Sequence, residues 1–286
     1  MATARHSPTF RVAGGPAAGS RDDEVMVFTE QQMLRYARHI VLPEIGGTGQ
    51  AQLLEAKVLL VGAGGFGSPL ALYLAAAGVG TLGIVDHDRV ELSNLHRQIA
   101  HPTTQVGMAK TESATLAAHA LNPETVIHRH DLRIDPDNAA AVIGGYDLVA
   151  DGTDNFATRD AVHAACLRLG KPLVSAAVQG LEGQLTTYKA YLGAPHPCYR
   201  CLFPSEPPPD LIPTCAQGGV LGPAVGVVGS LQVVEVVKEI LGLGDSLSGT
   251  LLLYDALDTR FRSIRIARLP DCPVCGADAG SGNGHG

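Results

Sequence analysis

Two hydrophobic rhythms run along the chain, one with the period of a helix and one of short, unbroken apolar runs. The first appears at once after Phe28. Thr29 and Gln32 have the spacing of a capping box, with Phe28 and Met33 placed to staple it. Met33, Tyr36, Ala37, Ile40 and Val41 then recur at helical steps, which predicts a helix burying those five and stopped by Pro43. Arg35, Arg38 and His39 fall on its polar side. The second rhythm fills the middle: KVLLVG (57–62), TLGIVD (81–86), TVIHRH (125–130), YDLVAD (146–151) and PLVSAAV (172–178), with helical segments between them. Runs that are apolar throughout suit strands covered on both faces of a parallel sheet. After Gly180 the texture changes to QLTTYKAY (184–191), TLLLYDA (250–256) and RSIRIAR (262–268), read as hairpin strands added at one edge, with a long helix over 227–241. No fixed-period repeat is visible. The pattern predicts an α/β fold: one doubly wound, mostly parallel sheet with an antiparallel C-terminal extension, over residues 28–276. Residues 1–27 and 277–286 are small, polar and glycine-rich and are expected to be disordered tails.

Composition narrows the classes. Of 286 residues, 45% are hydrophobic, and 21 Lys and Arg against 28 Asp and Glu give a net charge of −7. An acidic balance without a basic block argues against a nucleic-acid partner. No apolar run is long enough to span a bilayer, and the N-terminal stretch lacks the apolar region of a secretory signal. These features predict a cytoplasmic protein without a membrane partner.

The segment GAGGFGSP (62–69) leaves a strand and opens a helix, giving Gly62-x-Gly64-x-x-Gly67 with Gly65 between. Such a loop lets phosphate approach backbone N–H groups at a helix N-terminus, a Rossmann-like arrangement. Asp86 ends the next strand, where a carboxylate reaches ribose hydroxyls. At this point NAD and ATP are both open. Further on, Asp88, Asn94, Arg97, Lys110, Asp154 and Arg159 all fall at or just after strand ends, the side on which open α/β sheets bind ligands. Taken singly, each has a plain alternative, such as a solvated face for Arg97 or Lys110, or a helix cap for Asp154. Taken together beside a glycine loop, they favour a triphosphate and its metal over a nicotinamide.

Cysteine usage adds a second candidate centre. Cys198-x-x-Cys201 and Cys272-x-x-Cys275 are matched knuckles, and four thiolates of this kind make a closed structural Zn²⁺ site; a redox pair or two unrelated pairs are the alternatives. Cys166 falls on the Val162 face of a helix and reads as core. Cys215 sits in the proline-rich PPPDLIPTCAQGG. Eleven histidines are present, none at ligand spacing with a cysteine or carboxylate, and His39, His96 and His101 read as ordinary polar residues near the site.

RYARHIVLPEIG, VLLVGAGGFGSPLALYLAAAGVGTLGIVDHDRVELSNLHRQ, VGMAKTESA, DGTDNFATR and CYRCLF closely resemble the MoeB/ThiF family, over about residues 29 to 275. The family is one of adenylyltransferases for small sulfur-carrier proteins, similar to the catalytic fold of ubiquitin-activating enzymes. The resemblance implies ATP and Mg²⁺, a homodimer, and a ubiquitin-like carrier whose C-terminal Gly-Gly enters the site. It implies that Gly64 and Gly67 hold the nucleotide and Asp86 the ribose, that Asn94, Arg97 and Lys110 bind phosphates, and that Asp154 binds Mg²⁺. Gly62, Gly65, Asp88 and Asn155 complete the candidate nucleotide set. Arg38 matches an arginine that reaches into the neighbouring subunit's site, and Cys215 matches a loop cysteine that joins covalently to the carrier in some members, making it a candidate nucleophile. Molybdopterin is the favoured pathway, with thiazole, tRNA-thiolation and specialised-metabolite carriers as alternatives. The chain ends soon after Cys275, so the sulfurtransferase is expected to be a separate protein. An NAD(P)-dependent reductase or a non-catalytic carrier-binding scaffold on the same fold are competing classes, the latter at odds with the retained Arg38, Arg97, Lys110 and Asp154.

Overall fold

A computed structural model describes residues 28–205 and 218–276. Both expected tails and Cys215 lie outside the described residues. The chain opens with α1 (Glu30–Ile40), whose capping box is formed: Thr29 Oγ1 accepts from Gln32 N–H, and Gln32 Oε1 accepts from Thr29 N–H. Tyr36 is buried and Met33, Ala37 and Ile40 are half-buried. Val41 departs from the expectation. It is the C-cap, where the chain leaves the helix, and its side chain is 69% exposed.

There follows α2 (Gly46–Glu55), which the apolar pattern did not announce. Its three glycines are poor helix formers; burial of Gln50 and Leu53 supplies what propensity lacks. Then come β1 (Lys57–Val61), α3 (Gly67–Ala77), β2 (Thr81–Val85), α4 (Lys110–Leu121), β3 (Val126–His130), α5 (Ala139–Ile143), β4 (Leu148–Asp151) and α6 (Phe156–Leu169). The chain continues through β5 (Leu173–Gln179), β6 (Glu182–Tyr188), α7 (Tyr199–Leu202), α8 (Gly222–Leu241), β7 (Thr250–Asp255) and β8 (Arg260–Arg265). The strands form one eight-stranded sheet among the described residues, in the order β3-β2-β1-β4-β5-β6-β7-β8. The first five are parallel and the last three antiparallel, as the change of texture after Gly180 predicts.

Two strands are shifted from expectation. The hairpin pairs Gln179 with Glu182, turning at Gly180 with φ of 60°, so β6 starts two residues early and gives way to a 3-10 turn at Ala190–Leu192. Likewise Asp255 pairs with Arg260 across a short turn, which sets β8 earlier than 262–268.

Both faces of the parallel half are covered, and adjacent residues show it. Leu59 belongs to the core under α5 and α6 with Ile143 and Val162; Leu60 belongs to the opposite core under α3 and α8 with Leu74 and Val236. Side chains alternate across a strand, so two covered faces require an unbroken apolar run. No helix among the described residues is long and apolar enough to cross a membrane.

Candidate active site

Strand order reverses between β1 and β4, and an open α/β sheet binds its ligands in the crevice at that point. A cleft of about 720 Å³ lies there, of the size usual for small-molecule sites. Its floor is the glycine loop between β1 and α3. Gly62 has φ of +93°, a conformation L side chains rarely adopt, and Gly62, Gly64 and Gly65 face the cleft. Gly67 does not. A Cβ there would run into the Gly62 carbonyl, so it closes the loop against the start of α3 rather than touching a ligand. Asp86, at the end of β2, lines the cleft and accepts from Ala63 N–H (2.8 Å) and Asp88 N–H (2.8 Å). These bonds aim its carboxylate across the loop.

Positive charge enters from two segments after β2. Lys110, at the first position of α4, is 6% exposed and places its Nζ 2.8 Å from Asp88 Oδ2. Burial by itself would raise the Asp88 pKa, but the hydrogen bond and charge of Lys110, with His87, outweigh it and hold the carboxyl below its ordinary value. Arg97 lines the cleft, its guanidinium touching Ser93 O and His96 Nε2. Asn94 does not reach the wall. Its carbonyl instead accepts from Arg97 N–H and Gln98 N–H, holding the turn that presents both.

The opposite wall follows β4. Buried Asp151 accepts from Thr153 N–H, Thr153 Oγ1 and Ser175 Oγ, which folds the Asp151–Asn155 loop back on itself. The cap of α6 is Asn155, accepting from Thr158 N–H, so Asp154 is not a capping residue. Exposed on the cleft wall, the Asp154 carboxylate forms no hydrogen bond or ion pair with the described residues. Asp86, His87 and Asp88 also lie near enough to share an ion. Both of those carboxylates are already engaged, by backbone N–H groups and by Lys110, whereas Asp154 beside the glycine loop and Glu182 on the β5–β6 hairpin are open to a ligand. Arg159 donates to the Thr153 and Ala176 carbonyls and braces this loop.

Several cleft residues escaped the motif reading. Gln98 is 4% exposed with its Oε1 lacking a donor among the described residues, and it lines the cleft beside Gly64. Gln179, Glu182 and Gln184 come from the β5–β6 hairpin, where no local motif marks them. Arg38 is exposed on α1 and is not a cleft residue.

Away from the cleft, Cys198, Cys201, Cys272 and Cys275 are all buried and meet in one cluster. Their sulfurs stand 3.8 Å (198–201), 3.6 Å (198–272) and 3.5 Å (201–275) apart. Burial would raise the Cys272 thiol, but N–H groups of Val274 and Cys275 together with Cys198 lower it. Cys166 is buried in the core beside Val162, as expected.

Comparison with known proteins agrees with this geometry. The chain is 47% identical over 253 residues to the sulfur carrier protein adenylyltransferase of Thermus thermophilus, covering 88% of this chain and 93% of that protein. It is 48% identical over 250 residues to the adenylyltransferase and sulfurtransferase MOCS3 of Drosophila sechellia, covering 87% of this chain and 54% of that protein, so the chain spans about half the length of that relative. Its fold matches the crystal structure of Escherichia coli MccB with ATP at a TM-score of 0.73 and 26% identity, over 84% of this chain and 74% of the other. A family model matches residues 36–274, from the middle of α1 to the last cysteine knuckle, and the chain belongs to the ThiF family.

Proposed function

We propose that this protein is an adenylyltransferase that joins AMP from ATP to the C-terminal carboxylate of a small ubiquitin-like sulfur-carrier protein ending in Gly-Gly. The observation that carries the reading is the pairing of Arg97 and buried Lys110 with the unengaged Asp154 across a glycine loop at the switch point. A hydride-transfer site has no use for that set, whereas a triphosphate and its counter-ion do. The carrier's carboxylate is ionised at neutral pH, so no general base is required. It attacks the α-phosphorus, a new carboxylate–phosphorus bond forms, and the bond to pyrophosphate breaks.

The protein's task is then alignment and relief of repulsion between two anions. Gly62, Gly64 and Gly65 offer close approach to the backbone, Asp86 holds the ribose, and Arg97 and Lys110 neutralise the phosphates. Asp154 would hold Mg²⁺, with Asn155 beside it; the ion supplies positive charge along the phosphates when bound. In this reading Arg38, exposed on α1, serves the site of a second copy in a homodimer. Cys215 is the candidate nucleophile for a later covalent step. A separate sulfurtransferase then supplies sulfide-level sulfur that forms a C–S bond at the acyl carbon as the acyl–oxygen bond breaks and AMP leaves, giving the thiocarboxylate. The pathway served is molybdenum cofactor biosynthesis, in the cytoplasm.

For the cysteine cluster we assign one structural Zn²⁺ per chain. A tetrahedral ion with bonds of about 2.3 Å spaces its sulfurs by about 3.8 Å, close to the separations found. With all four positions filled by thiolates, no place remains for substrate.

The test incubates candidate carriers with the protein and ATP–Mg²⁺ and looks for an AMP adduct by intact mass spectrometry. Asp154→Ala is expected to lower carrier-dependent ATP–pyrophosphate exchange by at least roughly 100-fold while leaving the protein folded. Exchange at the wild-type rate in that variant removes Asp154 from the metal role. The absence of any adduct, together with oxidation of added NADH, removes the whole reading.

A further inference from the structure

A loop that receives phosphate must present its N–H groups and turn its carbonyls away, because a carbonyl oxygen facing an anion repels it. In this loop the Gly64 carbonyl is taken locally, by Ser68 N–H (2.9 Å) and Ser68 Oγ (2.9 Å) at the start of α3. The Ala63 carbonyl is taken by a side chain from a separate segment. His101 Nε2 lies 2.8 Å from Ala63 O, and since a carbonyl only accepts, Nε2 carries the hydrogen. That leaves Nδ1 to face Ser113 Oγ at 2.7 Å. Ser113 stands one turn from Lys110 on the same helix. The N–H of Ala63 is held from the other side by Asp86.

The ring itself is 4% exposed and does not line the cleft, so it acts through its neighbours. Burial, ahead of the opposing Ala63 bond, lowers its pKa and favours the neutral ring.

The geometry points to His101 as a positioning residue for ATP. It clamps the Ala63 peptide so that the glycine loop keeps that carbonyl turned from the phosphates, and through Ser113 it ties the loop to the helix that carries Lys110. The carrier's own docking does not depend on it. The assignment rests on the adenylyl-transfer reading and adds to it a residue outside the cleft.

Two substitutions separate the ring nitrogens. A glutamine amide reaches near the place of Nε2 and can donate to Ala63 O, whereas an asparagine amide ends near Nδ1 and cannot. Steady-state kinetics of carrier adenylylation, with ATP and carrier varied in turn, are the readout, alongside ATP affinity by calorimetry and the melting temperature. His101→Asn is expected to lower kcat/KM for ATP by on the order of 100-fold, with ATP affinity reduced and KM for the carrier unchanged. His101→Gln is expected to restore most of that loss. Ser113→Ala, which keeps the Ala63 bond, is expected to cost several-fold, again in the ATP terms only; it provides the test should the asparagine variant fail to fold.

Wild-type ATP parameters in His101→Asn, or in Ser113→Ala when the former does not fold, overturn the assignment. So does a glutamine variant as impaired as the asparagine one. Failure of the wild-type protein itself to bind ATP or to support pyrophosphate exchange removes the adenylyl-transfer reading instead, which keeps the two failures distinct.

Discussion

The two ends of the sheet are stabilised by different means. Around β1, β2 and β4 every face is covered: Leu59, Leu60, Leu82 and Val149 are almost fully buried between helices. At the other end β8 is exposed along its whole length, with Phe261 and Ile264 each half exposed. There the buried cluster beyond the sheet consists of Ala190 and the four knuckle cysteines. The parallel half therefore draws on hydrophobic burial on both faces, and the proposed zinc would add to the thinner packing of the extension a cross-link between the segment after β6 and the C-terminal knuckle. The lesson is local: the same kind of substitution has different consequences at the two ends.

The largest effect that tests this contrast is expected at the knuckles. Cys272→Ser should lower zinc well below one ion per chain and cost several kcal/mol of stability, since binding free energy of a structural metal is folding free energy. Metal analysis beside a urea melt checks both, and a variant that keeps its zinc and its melting point would dissolve the contrast. Next comes the parallel core. Leu60→Ala leaves a cavity under α3 and α8 and should cost about 2–5 kcal/mol in the same melt. Ile264→Ala on β8 should stay within about 0.5 kcal/mol. Equal losses at the two positions would mean that β8 is covered in solution.

An effect of intermediate size concerns the joint between the halves. His163 on α6 accepts from Tyr199 N–H, beside the first knuckle, and packs edge-on against Tyr188. Burial, helped by the Arg200 charge, lowers its pKa to about 4. The unfolded chain binds that proton near 6.5, the folded chain only near 4. Its contribution is thus complete above pH 6.5 and declines as pH falls from there towards 4. The total is about 3 kcal/mol. His163→Gln keeps an acceptor for Tyr199 but no titration, so its stability should fall less between pH 7 and pH 4.5, by about 2–3 kcal/mol. Parallel pH profiles for the two proteins would contradict this.

Much of the site was legible because its parts are local. Gly62, Gly64, Asp86 and Asp154 each sit within three residues of a strand end, and strand ends are visible as limits of apolar runs, while Arg97 and Lys110 stand out as charges between β2 and the body of α4. The knuckles were legible for the same reason, as pairs at fixed spacing. Residues whose role depends on distant chain segments were not. Gln98, Gln184 and the clamp at His101 have ordinary neighbours in sequence. The helix Gly46–Glu55 was hidden because its glycines oppose helix formation and tertiary burial decides it.

Sequence alone determined the alternation of strand and helix, the switch to antiparallel pairing after Gly180, and which chemical groups were present for the site. Those follow from covered faces, turn residues and side-chain type, all of which act within a few residues. Only the tertiary structure decided that Gly67 and Asn94 stay off the cleft wall, that Asn155 rather than Asp154 caps α6, and that Asp88 is already held by Lys110. Each of these outcomes is a competition among partners far apart in the chain, and only the folded arrangement shows which hydrogen bond or ion pair wins.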